Sequence, residues 1–194
     1  MGSLNVPSVR SFVALLLPDE VRERLRELQT ALRPSAGKAT WVQPGNLHLT
    51  LKFLGSMPED RLVAVGRAIA EAAGKASPFR LRCAGAGVFP NARRPRVLWA
   101  GTDDGHADLA ALAEQVEAAL EPLGFAREGR PFAGHITLAR LRAPAPELGG
   151  AVVAHEGDVY GAFEVTRIHL MKSDLSPQGP TYSVLQEFSL GETK

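Results

Sequence analysis

Leu47-His48-Leu49-Thr50-Leu51 and His135-Ile136-Thr137-Leu138 repeat one pattern, His-apolar-Thr-apolar, with 87 residues from the first histidine to the second. Strand side chains alternate faces, so in each copy the His and the Thr share one face while the aliphatic residues share the other. Each copy therefore reads as a half-buried strand that offers an imidazole and a hydroxyl and sinks its apolar residues into a core. With 5 His and 8 Thr in 194 residues, chance supplies roughly 0.2 His-x-Thr matches, so two copies in matching apolar settings are a signal.

A chain of 194 residues can bury a sizeable core as one domain, and 45% hydrophobic with 22% charged residues is ordinary globular composition. No apolar run approaches the ~20 residues of a membrane span. Phe12 to Leu17 is too short for a signal-peptide core and has no small-residue cleavage site after it. A cytoplasmic protein that does not enter a membrane is expected. Cys83 is the single cysteine, which excludes an internal disulfide and a cysteine-based zinc site. A net charge of +1 argues against a large duplex-DNA footprint, but not against a small phosphate ligand or an RNA end held by a few local donors.

Val9 to Leu17 reads as a strand, and Pro18 opens a helix whose apolar stripe is Val21, Leu25, Leu28 and Leu32. An extended piece at Trp41-Val42 and a turn at Pro44-Gly45-Asn46 lead into the first motif strand, Leu47 to Leu54, which Gly55 ends. Ser56-Met57-Pro58-Glu59 has the form of a capping box for a helix that carries Leu62, Val65, Ile69 and Ala72 inward. Phe79 to Ala84 and Val97 to Ala100 read as strands, Gly85-Ala86-Gly87 as a bulge or bend, and Phe89 to Arg96 as a basic loop. Asp103 or Asp104 is placed to cap a helix with Leu109, Leu112, Val116 and Leu120 inward, and Gly124 stops it. The second motif strand runs from His135 to Leu141. Leu148 to Ala154 is a short apolar segment, Phe163 to Met171 one strand, Ser176 to Pro180 a hairpin connection and Thr181 to Leu190 the last strand. In both halves a motif strand follows a helix and a loop, and no linker separates them. The expected fold class is α+β, with mostly antiparallel sheets and helices on their outer faces; residues 1–194 form one domain or two small interleaved lobes, with one motif in each half of the chain.

Two imidazoles facing one cleft make an acid–base pair, because an ordinary pKa near 6.5 lets one be neutral and the other protonated around neutral pH. Thr50 and Thr137 can donate hydrogen bonds to the non-bridging oxygens of a tetrahedral phosphate between the strands. No third residue stands at a metal-ligand spacing beside His48 or His135, so neither a metal nor another cofactor is expected. His106, His155 and His169 lack a Thr two residues on and read as a helix-start, a loop and a strand residue. Lys52 is in phase with His48 and Thr50, which points it towards the cleft as a candidate substrate contact. Arg93, Arg94 and Arg96 could guide an RNA strand, although a solvated charged loop is the commoner outcome. Trp41, Phe53 and Trp99 suit a core or cleft wall, with one aromatic near the cleft able to stack on a base.

Asn46-Leu47-His48-Leu49-Thr50-Leu51-Lys52-Phe53-Leu54-Gly55 and Pro131-Phe132-Ala133-Gly134-His135-Ile136-Thr137-Leu138-Ala139-Arg140 resemble the motif strands of the 2H phosphoesterases. Within that superfamily the chain resembles the bacterial and archaeal RNA 2′,3′-cyclic phosphodiesterases, also called 2′-5′ RNA ligases. Gly87-Val88-Phe89-Pro90, Val97-Leu98-Trp99, Ser173-Asp174-Leu175 and Gly179-Pro180 with Tyr182 support the subfamily, and the likeness spans nearly the whole chain. The resemblance implies a bilobal fold of pseudo-twofold symmetry, with antiparallel sheets lining a central cleft. It implies metal-independent opening of a ribonucleoside 2′,3′-cyclic phosphate to a 2′-phosphate and a free 3′-hydroxyl. Carried over by position, His48 is the proton donor to the departing O3′, His135 the proton acceptor that activates water, and Thr50 and Thr137 the phosphate clamp. Arg140 would stabilise phosphate charge or meet the nucleotide; strict alternation sets it on the face of Ile136 and Leu138, so it reaches the cleft only through a twist, a bulge or the strand end. The implied partners are RNA ends bearing the cyclic phosphate, or small cyclic nucleotides, bound by a monomer; the reverse reaction would join a 5′-hydroxyl in a 2′-5′ linkage. Two positions depart from the pattern. Gly134 stands where relatives often have Pro, and Thr40 where a basic residue is common. The alternatives are a nucleotide- or RNA-end-binding module of the same fold without turnover, and a 2H enzyme for another phosphoester.

Overall fold

Alternating apolar residues generate nine strands: β1 (Ser8–Leu16), β2 (Ala39–Trp41), β3 (His48–Pro58), β4 (Phe79–Phe89), β5 (Val97–Thr102), β6 (His135–Leu141), β7 (Val159–Val165), β8 (Arg167–Ser176) and β9 (Gly179–Ser189). Four helices interleave with them: α1 (Asp19–Leu32), α2 (Leu62–Lys75), α3 (His106–Leu120) and α4 (Pro146–Val153). The computed structural model describes residues 7–177 and 179–191. The strands form one α+β sheet in the order β7-β4-β5-β6-β3-β1-β8-β9, with β2 beside β6, and every pairing is antiparallel.

The order has a centre. β3 and β6, the two motif strands, meet there in a single paired position, Leu49 opposite Ile136. β1 flanks β3 and β5 flanks β6, and in each case a helix connects the flanking strand to the motif strand. The helices cross over: α1 and α4 pack on the half that holds β6, β4 and β7, α2 packs on β8 and β9, and α3 bridges β3 and β4. This exchange interleaves the halves.

One face of the sheet is covered. Leu25 and Leu28 of α1, Val65 and Ile69 of α2, Leu112 and Val116 of α3 and Leu148 of α4 join Val13, Leu49, Leu81, Leu98, Ile136 and Leu170 in one core. Fully burying such a side chain contributes about 1.5–3 kcal/mol, and this packing holds the helices, since none of the four has a side-chain N-cap. The opposite face carries a small cluster, Phe12, Ala14 and Met171 with Leu16 and Tyr182, and otherwise frames a cleft.

Several elements differ from the sequence reading. Gly55, at φ 71°, lies within β3, which continues to Pro58. Ser56 is therefore a strand residue and no capping box forms; a 3-10 turn at Glu59–Arg61 starts α2 instead. The residue before α3 is Gly105, in left-handed geometry at φ 79°, and neither Asp103 nor Asp104 caps the helix: the Asp103 carboxylate is held by Arg82. Leu148 lies in α4. The single strand expected over Phe163 to Met171 is two, β7 and β8, broken at Thr166. Within the expected Ser176 to Pro180 connection, Gln178 lies outside the described residues. Gly85, at φ 70°, makes the bulge, and Gly87 is required by space: a Cβ there would lie 2.2 Å from the Trp99 ring. Cys83 is fully buried and its thiol is pushed up to about 12, an inert core residue. No described helix is long and apolar enough to cross a membrane.

Candidate active site

The β3–β6 register decides how the two motifs meet. Leu49 and Ile136 are opposite, so antiparallel pairing carried one residue either way sets His48 beside Thr137 and Thr50 beside His135. Leu49 and Ile136 point into the core, and the two His and two Thr side chains are half-buried on the cleft face. Four groups from residues 87 apart thus converge on one floor.

Each histidine is held in one tautomer. The Nδ1–H of His48 donates to the Asn46 carbonyl at 2.7 Å, and the Nδ1–H of His135 donates to the Ala133 carbonyl at 2.7 Å. The same i−2 contact in both motifs leaves each Nε2 for chemistry. His48 Nε2 shares a 3.0 Å hydrogen bond with the Thr50 hydroxyl, which donates while the ring is neutral. Aromatic edges fix the ring planes. Tyr182 meets His48 edge-on at 5.2 Å and Phe89 meets His135 edge-on at 5.2 Å, while Phe12 lies 4.8 Å from His48. Burial lowers the pKa of His48; the Asn46 carbonyl opposes this, and the charge of His135 adds to it.

The residues after each Thr are turned by a bulge at the same point in both motifs. In β3, Thr50 pairs with Ala14 and Lys52 with Val13, leaving Leu51 extra. In β6, Thr137 pairs with Trp99 and Ala139 with Leu98, leaving Leu138 extra. Consecutive residues are therefore buried, Leu51 with Lys52 and Leu138 with Ala139, and the alternation restarts in the opposite phase. Lys52 is accordingly not a cleft residue, contrary to the simple alternation. Its side chain is 2% exposed and its ammonium lies 2.6 Å from Glu117 of α3, with a second bond to the Ala126 carbonyl. Arg140 takes the reverse path, from the core phase onto the exposed cleft face. Its charge is felt by Tyr182.

Buried polar groups lie beneath both bulges. Gln29 of α1, 2% exposed, donates to the carbonyls of Leu138 at 2.9 Å and Val42 at 2.8 Å, satisfying the backbone where the second ladder breaks. Under the first lies the Lys52–Glu117 pair, with the Lys52 ammonium also donating to the Ala126 carbonyl. Phe53, five residues after His48 as Arg140 is five after His135, is the residue that the first bulge turns outward, and it is 59% exposed beside Phe12. The sequence carried that signal in the aligned positions of Phe53 and Arg140, but without the bulges the spacing predicts the wrong face. The roles of Phe12, Tyr182 and Phe89 were not legible, because they come from strands remote in sequence.

The departures have physical explanations. A Cβ at Gly134 would lie 2.7 Å from Leu109 Cδ2, 3.1 Å from Thr102 Oγ1 and 3.3 Å from Phe132, so Gly134 is set by close packing before His135 rather than by looseness. Thr40 accepts a hydrogen bond from the Arg142 guanidinium, which brings a cation to that position. Of the other histidines, His106 begins α3 and bonds Thr102, His155 pairs with Asp158, and His169 lies buried on β8 beside Glu187. No group of three or more His, Cys, Asp or Glu residues able to hold a metal occurs among the described residues.

Comparison with known proteins gives a consistent result. Residues 15–99 and 101–182 match the family described as LigT like Phosphoesterase. An RNA 2′,3′-cyclic phosphodiesterase of Thermus thermophilus is 42% identical over 94% of this chain and 90% of its own length. One of Archaeoglobus fulgidus is 34% identical over 93% of this chain and 99% of its own. Among solved structures, a Thermus thermophilus protein superposes with a TM-score of 0.81 at 40% identity, covering 95% of this chain and 100% of that one. E. coli LigT complexed with 3′-AMP superposes with a TM-score of 0.75 at 27% identity, covering 95% and 99%.

Proposed function

The chain belongs to the LigT-like phosphoesterase family, and we propose that its cleft opens an RNA-terminal 2′,3′-cyclic phosphate by proton transfer between two histidines. The protein is an RNA 2′,3′-cyclic phosphodiesterase, the activity its curated relatives are named for across most of the chain. The observation that carries the mechanism is the Leu49–Ile136 register, which supports a phosphate site framed by two reciprocal His–Thr pairs.

The cyclic phosphate lies between the motifs, its non-bridging oxygens accepting from Thr50 and Thr137. His135 Nε2 takes a proton from a water as its oxygen attacks phosphorus. The P–O3′ bond breaks, and His48 Nε2–H gives its proton to O3′. The products are a 2′-phosphate and a 3′-hydroxyl, and the histidines exchange protonation states until solvent resets them. Because the two rings supply both proton transfers, the reaction needs no metal. Burial favours neutral His48 in the free protein, and the bound phosphate anion restores the charge that a proton donor requires. Arg140 adds charge stabilisation from the cleft wall, and Phe53 offers an aromatic face to a nucleobase. With a 5′-hydroxyl in place of water the same sequence of proton transfers forms a 2′-5′ linkage and frees the 3′-hydroxyl. The protein works as a cytoplasmic monomer, residues 1–194 forming one domain whose two halves share this site.

The test is incubation of the purified protein, in EDTA, with a short RNA ending in a 2′,3′-cyclic phosphate. A 2′-phosphate product that disappears in both His48→Ala and His135→Ala supports the mechanism. A 3′-phosphate product reverses the leaving group. No product, with a nucleotide still bound, makes the protein a binding module or an enzyme for another phosphoester.

A further inference from the structure

The cations of this protein are not spread evenly. Lys38, Arg93, Arg94, Arg96, Arg140 and Arg142 are all exposed, and none of the six forms a salt bridge among the described residues. Backbone pairing gathers them at one strand end. Arg140 lies opposite Val97 and Thr40, the Leu141 amide donates to the Arg96 carbonyl, and the Arg142 amide donates to the Lys38 carbonyl. By contrast, Arg22, Arg24 and Arg26 on α1 are each matched to a carboxylate. With six cations in one place, the other sixteen of the 22 Lys and Arg residues face 21 Asp and Glu, so the remainder of the molecule is net negative.

The arginine loop is held in place and starts at the catalytic cleft. Its first residue, Phe89, is the one whose ring meets His135 edge-on. The Asn91 side chain accepts from the amides of Arg93 and Arg94, the Arg96 amide returns to the Phe89 carbonyl, and Ala92 packs closely on Gly149 of α4. Arg93, Arg94 and Arg96 are thus exposed on an ordered loop that begins at Phe89, and the backbone sets that loop beside Arg140 of β6 and Arg142 just beyond it.

We propose that this strand end is the docking surface for the RNA body, in which Arg93, Arg94 and Arg96, with Arg142 and Lys38, bind backbone phosphates on the 5′ side of the cyclic end. The inference rests on the phosphodiesterase reading and extends it from the terminal nucleotide to the polymer. Phosphate contacts of this kind position a strand without reading its sequence. A one-sided positive patch on an otherwise negative molecule also steers a polyanion to the correct mouth of the cleft.

The experiment compares the wild type with an Arg93→Gln, Arg94→Gln, Arg96→Gln variant, whose changes are all at exposed positions, on adenosine 2′,3′-cyclic phosphate and on a ten-nucleotide RNA with the same terminus. The expected result is a rise of about tenfold in KM for the ten-mer at low salt, with the log–log salt slope reduced by about 2, and unchanged turnover of the mononucleotide. Equal kinetics on the ten-mer, or an equal loss on both substrates, overturns the proposal. If the wild type opens neither substrate, the phosphodiesterase reading fails. The surface is then judged by binding of the labelled ten-mer: a salt-sensitive affinity lost in the variant supports it, and equal affinity overturns it.

Discussion

Leu49 and Ile136 face each other across the β3–β6 seam, both fully buried, and each is flanked by the His and Thr of its own motif. The seam therefore holds the two histidines on one pair of strands, and they are expected to act as a unit. Each of His48→Ala and His135→Ala is expected to lower kcat by at least about 10²-fold, and the double variant by little more than the worse single, since either loss breaks the same proton circuit. Steady-state turnover of a cyclic mononucleotide measures this; multiplicative losses would mean the rings act independently.

Thr50→Ala and Thr137→Ala each remove one hydrogen bond to an anionic phosphate. Such a bond is worth about 1.5–3 kcal/mol, so kcat/KM falls by roughly 10- to 100-fold. Both hydroxyls are half-buried at the cleft and outside the core, so the urea midpoint stays near the wild-type value. Unchanged kinetics in both variants would remove the clamp.

His48 titrates below the ordinary histidine value in the free protein, chiefly because it is buried. Its folded pKa lies under its unfolded value of about 6.5, so as pH falls below 6.5 the unfolded chain binds the proton first and stability is lost. Nitrogen-15 NMR titration of the ring should place His48 under 6.5 and move it upward on adding a nucleoside 2′-phosphate, whose charge favours the imidazolium. His48→Gln should remove part of the acid sensitivity of the urea midpoint. An upward shift in the free protein would contradict the burial argument.

Lys52→Met leaves Glu117 as an unpaired carboxylate under the sheet. Breaking a buried pair in this way costs about 3–5 kcal/mol. Lys52→Met with Glu117→Leu should recover much of that, because the charge is removed with its partner. Urea denaturation of the single and double variants checks this; equal losses would mean the pair is not coupled.

Gly134→Ala places a methyl 2.7 Å from Leu109 Cδ2, an atom of a fully buried side chain that has little room to yield. Overpacking costs about 1–3 kcal/mol, and displacement falls on the residue immediately before His135. Lower stability together with lower kcat is expected, and Leu109→Ala in the same chain should restore part of both. A neutral Gly134→Ala would show that the strand entry is freely mobile.

The repeated His-x-Thr, flanked each time by aliphatic residues, already outlined the candidate site in the sequence: alternation alone puts His48 with Thr50, and His135 with Thr137, on one face. The helical stripes of Val21, Leu25, Leu28 and Leu32, and of Leu109, Leu112, Val116 and Leu120, were likewise legible, because their burial follows a local period. What no local period contains is a change of phase. The extra residues Leu51 and Leu138 turn Lys52 inward and Phe53 and Arg140 outward, and the partners met beneath the sheet are far along the chain: Glu117 is 65 residues from Lys52 and Gln29 is 109 from Leu138. Which residues form the candidate site, and on which strands they lie, could be read from the chain alone, since side-chain type and alternation are local. Which of their neighbours face the cleft, which aromatic edges hold the rings and where the cations gather emerged only on folding, because those depend on ladder register and on packing between segments distant in the chain.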